Sequence, residues 1–308
     1  MIASTFDKWI STIGISDSAC KIANVLLAAG FGVFPEVVKL SARIPDFSLH
    51  ALKKIVLPNS VTAIDCHSFQ GCTNLEEIIF SESITIIRPY AFTECNSLKS
   101  LDFPDSLKKL ESSIFKLPKL ESVRFPKEFT TNDVGYCPNL KKIEFSENAN
   151  DVVITKCDSL DELILADNIE LLTLSDCNSI KEITWSKKLT GLSINGCNGL
   201  NEILLPESVS RFNIRNCSSL EKIYIPGSVR YLCADIFNGV NDGLNITFGG
   251  SFEEWKNLIK DRTTYECNGP TQNQYHYLGE LSWVMYAPTE KTESVIHTGF
   301  KYNLKCEK

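Results

Sequence analysis

CPNLKKIEF (137–145), CDSLDELIL (157–165), CNSIKEITW (177–185), CNGLNEILL (197–205) and CSSLEKIYI (217–225) recur at a constant interval of 20 residues. Each copy places Leu or Ile three residues after its cysteine and apolar residues at its seventh and ninth positions. Neither a helical period nor a catalytic motif repeats in this way. A fixed period near 20 marks a solenoid, in which each repeat is one turn stacked on the previous one. The alternation that ends each copy reads as a short strand with one face turned inward.

Between these copies stand VVI (152–154), LTL (172–174), LSI (192–194) and FNI (212–214), which predict a second short strand per turn. Upstream the period lengthens to 23, with LKKIVLPNSVTAIDCHSFQGC (52–72) followed by LEEIIFSESITIIRPYAFTEC (75–95). A third turn, LKSLDFPDSLKKLESSIFKL (98–117), puts Leu117 where the others have cysteine, and LPKLESVRFP (117–126) opens a fourth. IYIPGSVRYLCADIFNGV (223–240) returns to the longer form, and LNITF (244–248) supplies a final strand. The register yields nine turns between about 49 and 239.

The longer turns resemble the BspA-like leucine-rich repeat family, whose unit runs L-x-x-I-x-I-P-x-S-V-x-x-I-x-x-x-A-F-x-x-C. Ala91-Phe92 matches its Ala-Phe, Phe69 after Ser68 stands in the equivalent place, and Pro58 and Ser60 match its Pro-x-Ser. Gly250-Ser251-Phe252-Glu253-Glu254-Trp255 is similar to the Gly-Thr-x-x-Glu-Trp segment that often ends the family's units. The resemblance covers residues 49 to 260. It implies a leucine-rich repeat solenoid, a right-handed superhelix with a parallel β-sheet on one face. It also implies a surface-associated adhesion role toward host or neighbouring-cell proteins, and hence a cell-surface or secreted location.

Three segments follow from this register: a helical N-terminal cap over 1–48, the solenoid over 49–248, and a C-terminal cap helix with a β-rich tail over 249–308. Ser16 or Asp17 caps a helix through SDSACKIANVLLAAG that stops at Gly30. Its apolar part spans about 14 residues and includes Lys21 and Asn24, short of the roughly 20 a membrane span needs. Asp7 precedes Lys8 and the apolar run begins near residue 22, a poor match to a secretory leader. Ser251 and Glu254 form a capping box that opens SFEEWKNLIK, whose Trp255 and Leu258 cover the last turn. LSWVMYA and FKYNLKC in the tail are β-prone.

The net charge of −7 and the pI of about 5.3 argue against nucleic acid as the main partner, since no basic stripe is present. Of twelve cysteines, seven fall on the period: Cys72, Cys95, Cys137, Cys157, Cys177, Cys197 and Cys217. Stacked equivalents lie about 4.8 Å apart with parallel Cα–Cβ bonds, whereas a disulfide wants Cβ atoms about 3.8 Å apart and convergent. They read as free buried thiols acting as small hydrophobes. Pairing among Cys20, Cys66, Cys233, Cys267 and Cys306 stays open, as does the compartment.

The strand face that points outward carries one row of Val56, Ile79, Asp102, Arg124, Glu144, Ile164, Thr184, Leu204 and Tyr224. A second row runs Lys54, Glu77, Ser100, Ser122, Lys142, Glu162, Glu182, Glu202 and Lys222. Ile164, Leu204 and Tyr224 around Thr184 form an apolar strip of the kind that marks a contact site. Glu162, Glu182 and Glu202 are three carboxylates at one strand spacing, suited to a basic partner or a cation, although solvated carboxylates are common and screened. His50, His67, His276 and His297 show no metal-ligand spacing, and Cys267 with His276 is a weak nucleophile–base pair. No cofactor or metal site is expected. The expectation is a non-catalytic protein-binding solenoid acting in adhesion or recognition, with an intracellular interaction scaffold as the alternative.

Overall fold

The computed structural model describes residues 38–40, 53–57, 59, 61–111, 116–232, 236–260 and 302–307. The chain forms two compact units, Met1–Asn148 and Ala149–Lys308.

The first unit contains β1 (Val38–Leu40), β2 (Lys54–Val56), β3 (Val61–Ile64), β4 (Glu77–Ile79), β5 (Ile86–Ile87), β6 (Ser100–Asp102), β7 (Lys109–Leu110), β8 (Ser122–Arg124), β9 (Thr131–Gly135) and β10 (Lys142–Glu144). Even-numbered strands come from the L-x-x-I-x-F segments and odd-numbered ones from the second strand of a turn. Nine of them pair in parallel, as β2–β4, β6–β8–β10 and β1–β3–β5–β7. Aromatic residues fill the inside. Phe69 and Phe92 of the Ala-Phe segments stack at 5.6 Å, and Phe103 lies 5.5 Å from Phe80 and 6.2 Å from Phe125. The Ala-Phe segments themselves are tight turns, with Ala91 and Phe92 fully buried.

The second unit contains β11 (Asp151–Thr155), β12 (Glu162–Ile164), β13 (Leu171–Ser175), β14 (Glu182–Thr184), β15 (Gly191–Asn195), β16 (Glu202–Leu204), β17 (Arg211–Arg215), β18 (Lys222–Ile225), β19 (Tyr231–Leu232) and β20 (Leu244–Phe248). The helix α1 (Phe252–Lys260) and β21 (Tyr302–Cys306) follow. The expected second strands are all present, five residues long where three were read from the sequence. They align through Val152, Leu172, Leu192, Phe212 and Leu232 in register.

The cysteines behave as buried small hydrophobes. All seven ladder thiols are free and 0% exposed. From Cys137 to Cys217 each Sγ–H donates to the carbonyl two residues earlier, at 3.2 to 3.7 Å. Burial pushes the Cys137 thiol up to about 11, so it stays protonated at neutral pH. Cys66 and Cys306 are also free, while Cys20, Cys233 and Cys267 lie outside the described residues.

The residue before each ladder position adopts a left-handed backbone. Lys116, Tyr136, Lys156, Asp176 and Asn216 have φ between 51° and 80°, as do Gly196 and Gly239. This bend turns the chain out of one sheet toward the next and aims its N–H at the following turn. Lys156 N donates to Ser175 O at 2.8 Å, and Asp176 N to Asn195 O at 2.8 Å. Lys and Tyr have no intrinsic preference for that conformation, which costs such residues about 1–2 kcal/mol. The stacked hydrogen bonds and buried cysteines over-determine it.

At the C-terminal end the capping box forms as expected: Glu254 Oε2 accepts from Ser251 N at 2.7 Å, and Glu254 N donates to Ser251 Oγ at 3.3 Å. Trp255 is 1% exposed and packs 5.3 Å from Phe248. β21, from the FKYNLKC run, lies parallel on β20. The helix expected over 16–30 lies outside the described residues. Within 1–48 the described segment is the strand β1, parallel to β3.

Candidate functional site

In the second unit the outward positions of β12, β14, β16 and β18 form the face singled out from the sequence. Ile164 is 60% exposed and Leu204 58%, the most exposed large aliphatic side chains among the described residues. Thr184 is exposed between them in sequence order. In the first unit ion pairs take up part of this face: in the equivalent row Arg124 bonds Asp102 and also Asp105 and donates to Phe103 O, and in the second row Lys54 pairs with Glu77 at 2.8 Å. Ile79 is the large apolar side chain of that first row exposed there.

The strip is not one continuous ladder. β12 pairs with β14, setting Ile164 beside Thr184 and Glu162 beside Glu182. β16 pairs with β18, setting Leu204 beside Tyr224 and Glu202 beside Lys222. No ladder joins β14 to β16. Trp185 of β14's turn is half-buried where Leu165 and Leu205, its equivalents, are 5% and 2% exposed. An indole is larger than the leucine that fills the equivalent slot one turn earlier and one turn later, and it stays partly at the surface. The row of three carboxylates read from the sequence is therefore a Glu162–Glu182 pair plus a Glu202 that neighbours a lysine.

Tyr224 departs from a freely presented aromatic. Its hydroxyl donates to Glu207 Oε1 at 2.8 Å. A Cβ on Gly249 would stand 2.6 Å from that hydroxyl, so only glycine lets the ring lie down across this turn. The hydrogen bond from the neutral phenol to the Glu207 carboxylate, with some desolvation, pushes Tyr224 up to about 12. Past Tyr224 the outward row continues through Thr247 of β20 and Lys305 of β21.

One polar element of this unit escaped the sequence reading. The residue after each cysteine builds a side-chain ladder in which Asp158 Oδ1 accepts from Asn178 Nδ2 at 3.2 Å, and Asn178 Oδ1 from Asn198 Nδ2 at 3.0 Å. Asn198 Oδ1 then accepts from Ser218 Oγ at 2.8 Å. The signal was present as the C-[DNS] pairs at 20-residue spacing. Each amide satisfies the turn above it, so these side chains are committed to the fold. His67 stacks on Tyr90 at 5.2 Å; His50, His276, His297 and Cys267 lie outside the described residues. Among those residues no helix is long and apolar enough to cross a membrane.

A parallel β-solenoid with apolar inward columns and a 20- to 23-residue turn defines the chain's class as a leucine-rich repeat protein. Six copies of the BspA type leucine rich repeat region match it over residues 45–153, 135–214 and 154–259, and the chain belongs to that family. Solved structures with a similar fold include the pneumococcal vaccine antigen PcpA, 20% identical over 74% of this chain and 68% of that one, with a TM-score of 0.45. The leucine rich repeat protein TpLRR of T. pallidum is 25% identical over 40% of this chain and 71% of that one, with a TM-score of 0.33. A leucine rich cell surface protein of Faecalibacterium prausnitzii is 15% identical over 73% and 86%, with a TM-score of 0.30. No curated protein matches the chain.

Proposed function

We propose that the chain is a non-catalytic recognition protein that holds a protein partner on the outward face of β12, β14, β16 and β18. The observation that carries this reading is the exposure of Ile164 and Leu204. Aliphatic side chains this exposed on a sheet face forgo more than half of the about 1.5–3 kcal/mol that full burial of each would contribute. Glu162, Glu182 and Glu202 rim the apolar positions and suit basic groups on the partner, and Tyr224 supplies a ring held in place by Glu207. Family membership favours an interaction role over catalysis. A surface-associated adhesion role rests on analogy with the family and with neighbours described as a vaccine antigen and a cell surface protein.

The test is direct binding of labelled chain to intact host or neighbouring cells, comparing the native chain with Ile164→Ser/Leu204→Ser. Both positions are outside the core, so folding stays intact and binding falls by at least tenfold. Equal binding by the two proteins would remove this face from consideration. The alternative, an intracellular scaffold, is favoured by the nine free thiols among the described residues. Thiol counting on denatured protein isolated without reductant separates the two: twelve free thiols indicate a reducing compartment, and bridges among Cys20, Cys66, Cys233, Cys267 and Cys306 indicate export.

A further inference from the structure

We propose that the edge of β20 is a strand-acceptor site whose occupant, residues 302–306, passes between two copies of the chain. β21 lies parallel to β20 over five residues, from Leu244 beside Tyr302 to Phe248 beside Cys306, and Glu307 N donates to Phe248 O at 3.0 Å. Residues 261–301, 41 in all, separate it from the last residue of α1. β21 is thus far more distant in sequence from the strand it pairs with than β16 and β18, which are 20 residues apart.

Leu304 and Cys306, two of its side chains, are weakly anchored. Ile246 and Phe248 of β20 are each 1% exposed, whereas Leu304 and Cys306, in the same two columns, are only half-buried. At these two positions backbone hydrogen bonds carry more of the attachment than packing does, which is how a sheet edge takes up an extended segment. An edge read through the backbone accepts the same five residues from a second copy in the same register. Forty-one residues span at most about 140 Å, so the connection allows delivery to the chain's own edge or to a neighbour's. The two modes use identical contacts and differ only in concentration: the chain's own strand fills the edge in dilute solution, and exchange grows as chains are concentrated. Either mode closes an edge that would otherwise template unwanted pairing.

Thr247 and Lys305 are register neighbours on the outward face, which makes the exchange readable without touching the core. Full-length chain carrying Thr247→Cys/Lys305→Arg is mixed with unaltered chain, treated with a short amine-to-thiol cross-linker, and mapped by peptide mass spectrometry. A bridge from residue 247 of one copy to Lys305 of the other, with yield rising with concentration, is the expected result. The Thr247→Cys chain alone, at low concentration, forms the same bridge within one molecule. Bridging only within single chains at every concentration would make β21 a permanent strap and overturn the exchange. No bridge in either experiment would show that β21 does not occupy this edge.

Discussion

Replacing Cys177 with Asp tests the buried ladder and the register together. The native thiol is 0% exposed, and its Sγ–H is directed at Ser175 O at 3.4 Å and Ile154 O at 3.7 Å. An ionised carboxylate there is buried against two carbonyl oxygens. Folding then requires the acid to stay protonated, so its folded pKa rises far above the unfolded value of about 3.9. The unfolded chain releases a proton that the folded chain keeps, so stability falls as pH rises, by about 1.4 kcal/mol per unit above pH 4. At pH 7 the penalty reaches about 4 kcal/mol, on top of about 1–2 kcal/mol for burying the acid itself. Cys177→Ser is the control, because its hydroxyl can donate to the same carbonyl and costs about 1 kcal/mol. Urea unfolding followed by circular dichroism at pH 4.5 and pH 7, with the native chain as reference at each, reads the difference. An Asp variant as stable as native at pH 7, or a deficit that does not grow with pH, would refute the burial of the ladder.

Two further outcomes follow from the second unit. Trp255→Ala removes the indole packed on Phe248 and should cost about 3–5 kcal/mol, seen as a lowered urea midpoint with the far-ultraviolet spectrum kept. Glu207→Gln removes the carboxylate that holds the Tyr224 hydroxyl, so the Tyr224 pKa should drop from about 12 toward the ordinary value near 10 in a tyrosine-resolved NMR titration. The native contact contributes below pH 10 and is lost as pH rises through 12; an unmoved titration would show that Glu207 does not set it.

Much of the fold was readable because a stacked turn repeats its own demands. Cys157, Cys177, Cys197 and Cys217 each face the same narrow interior, so one small apolar residue recurs at one interval. The strands at 151–155, 171–175, 191–195 and 211–215 show as alternation for the same reason. The Ser251–Glu254 box was legible because its partners are three residues apart. The left-handed residues were not. Lys156 and Tyr136 give no local sign of positive φ, because the bend is imposed by the turn that follows and not by their own preference.

The candidate face divides along the same line. Sequence by itself determined which side chains point outward, since strand alternation is a local property: Ile164, Leu204 and Glu162 emerge as expected. Only the tertiary structure decided how they combine. It left Thr184 and Leu204 with no ladder between their strands, and it laid Tyr224 over Gly249 onto Glu207. It also brought β21 to the edge of β20 across 41 intervening residues. Those outcomes depend on the volume and hydrogen bonds of residues 17 or more positions apart, which no local pattern encodes.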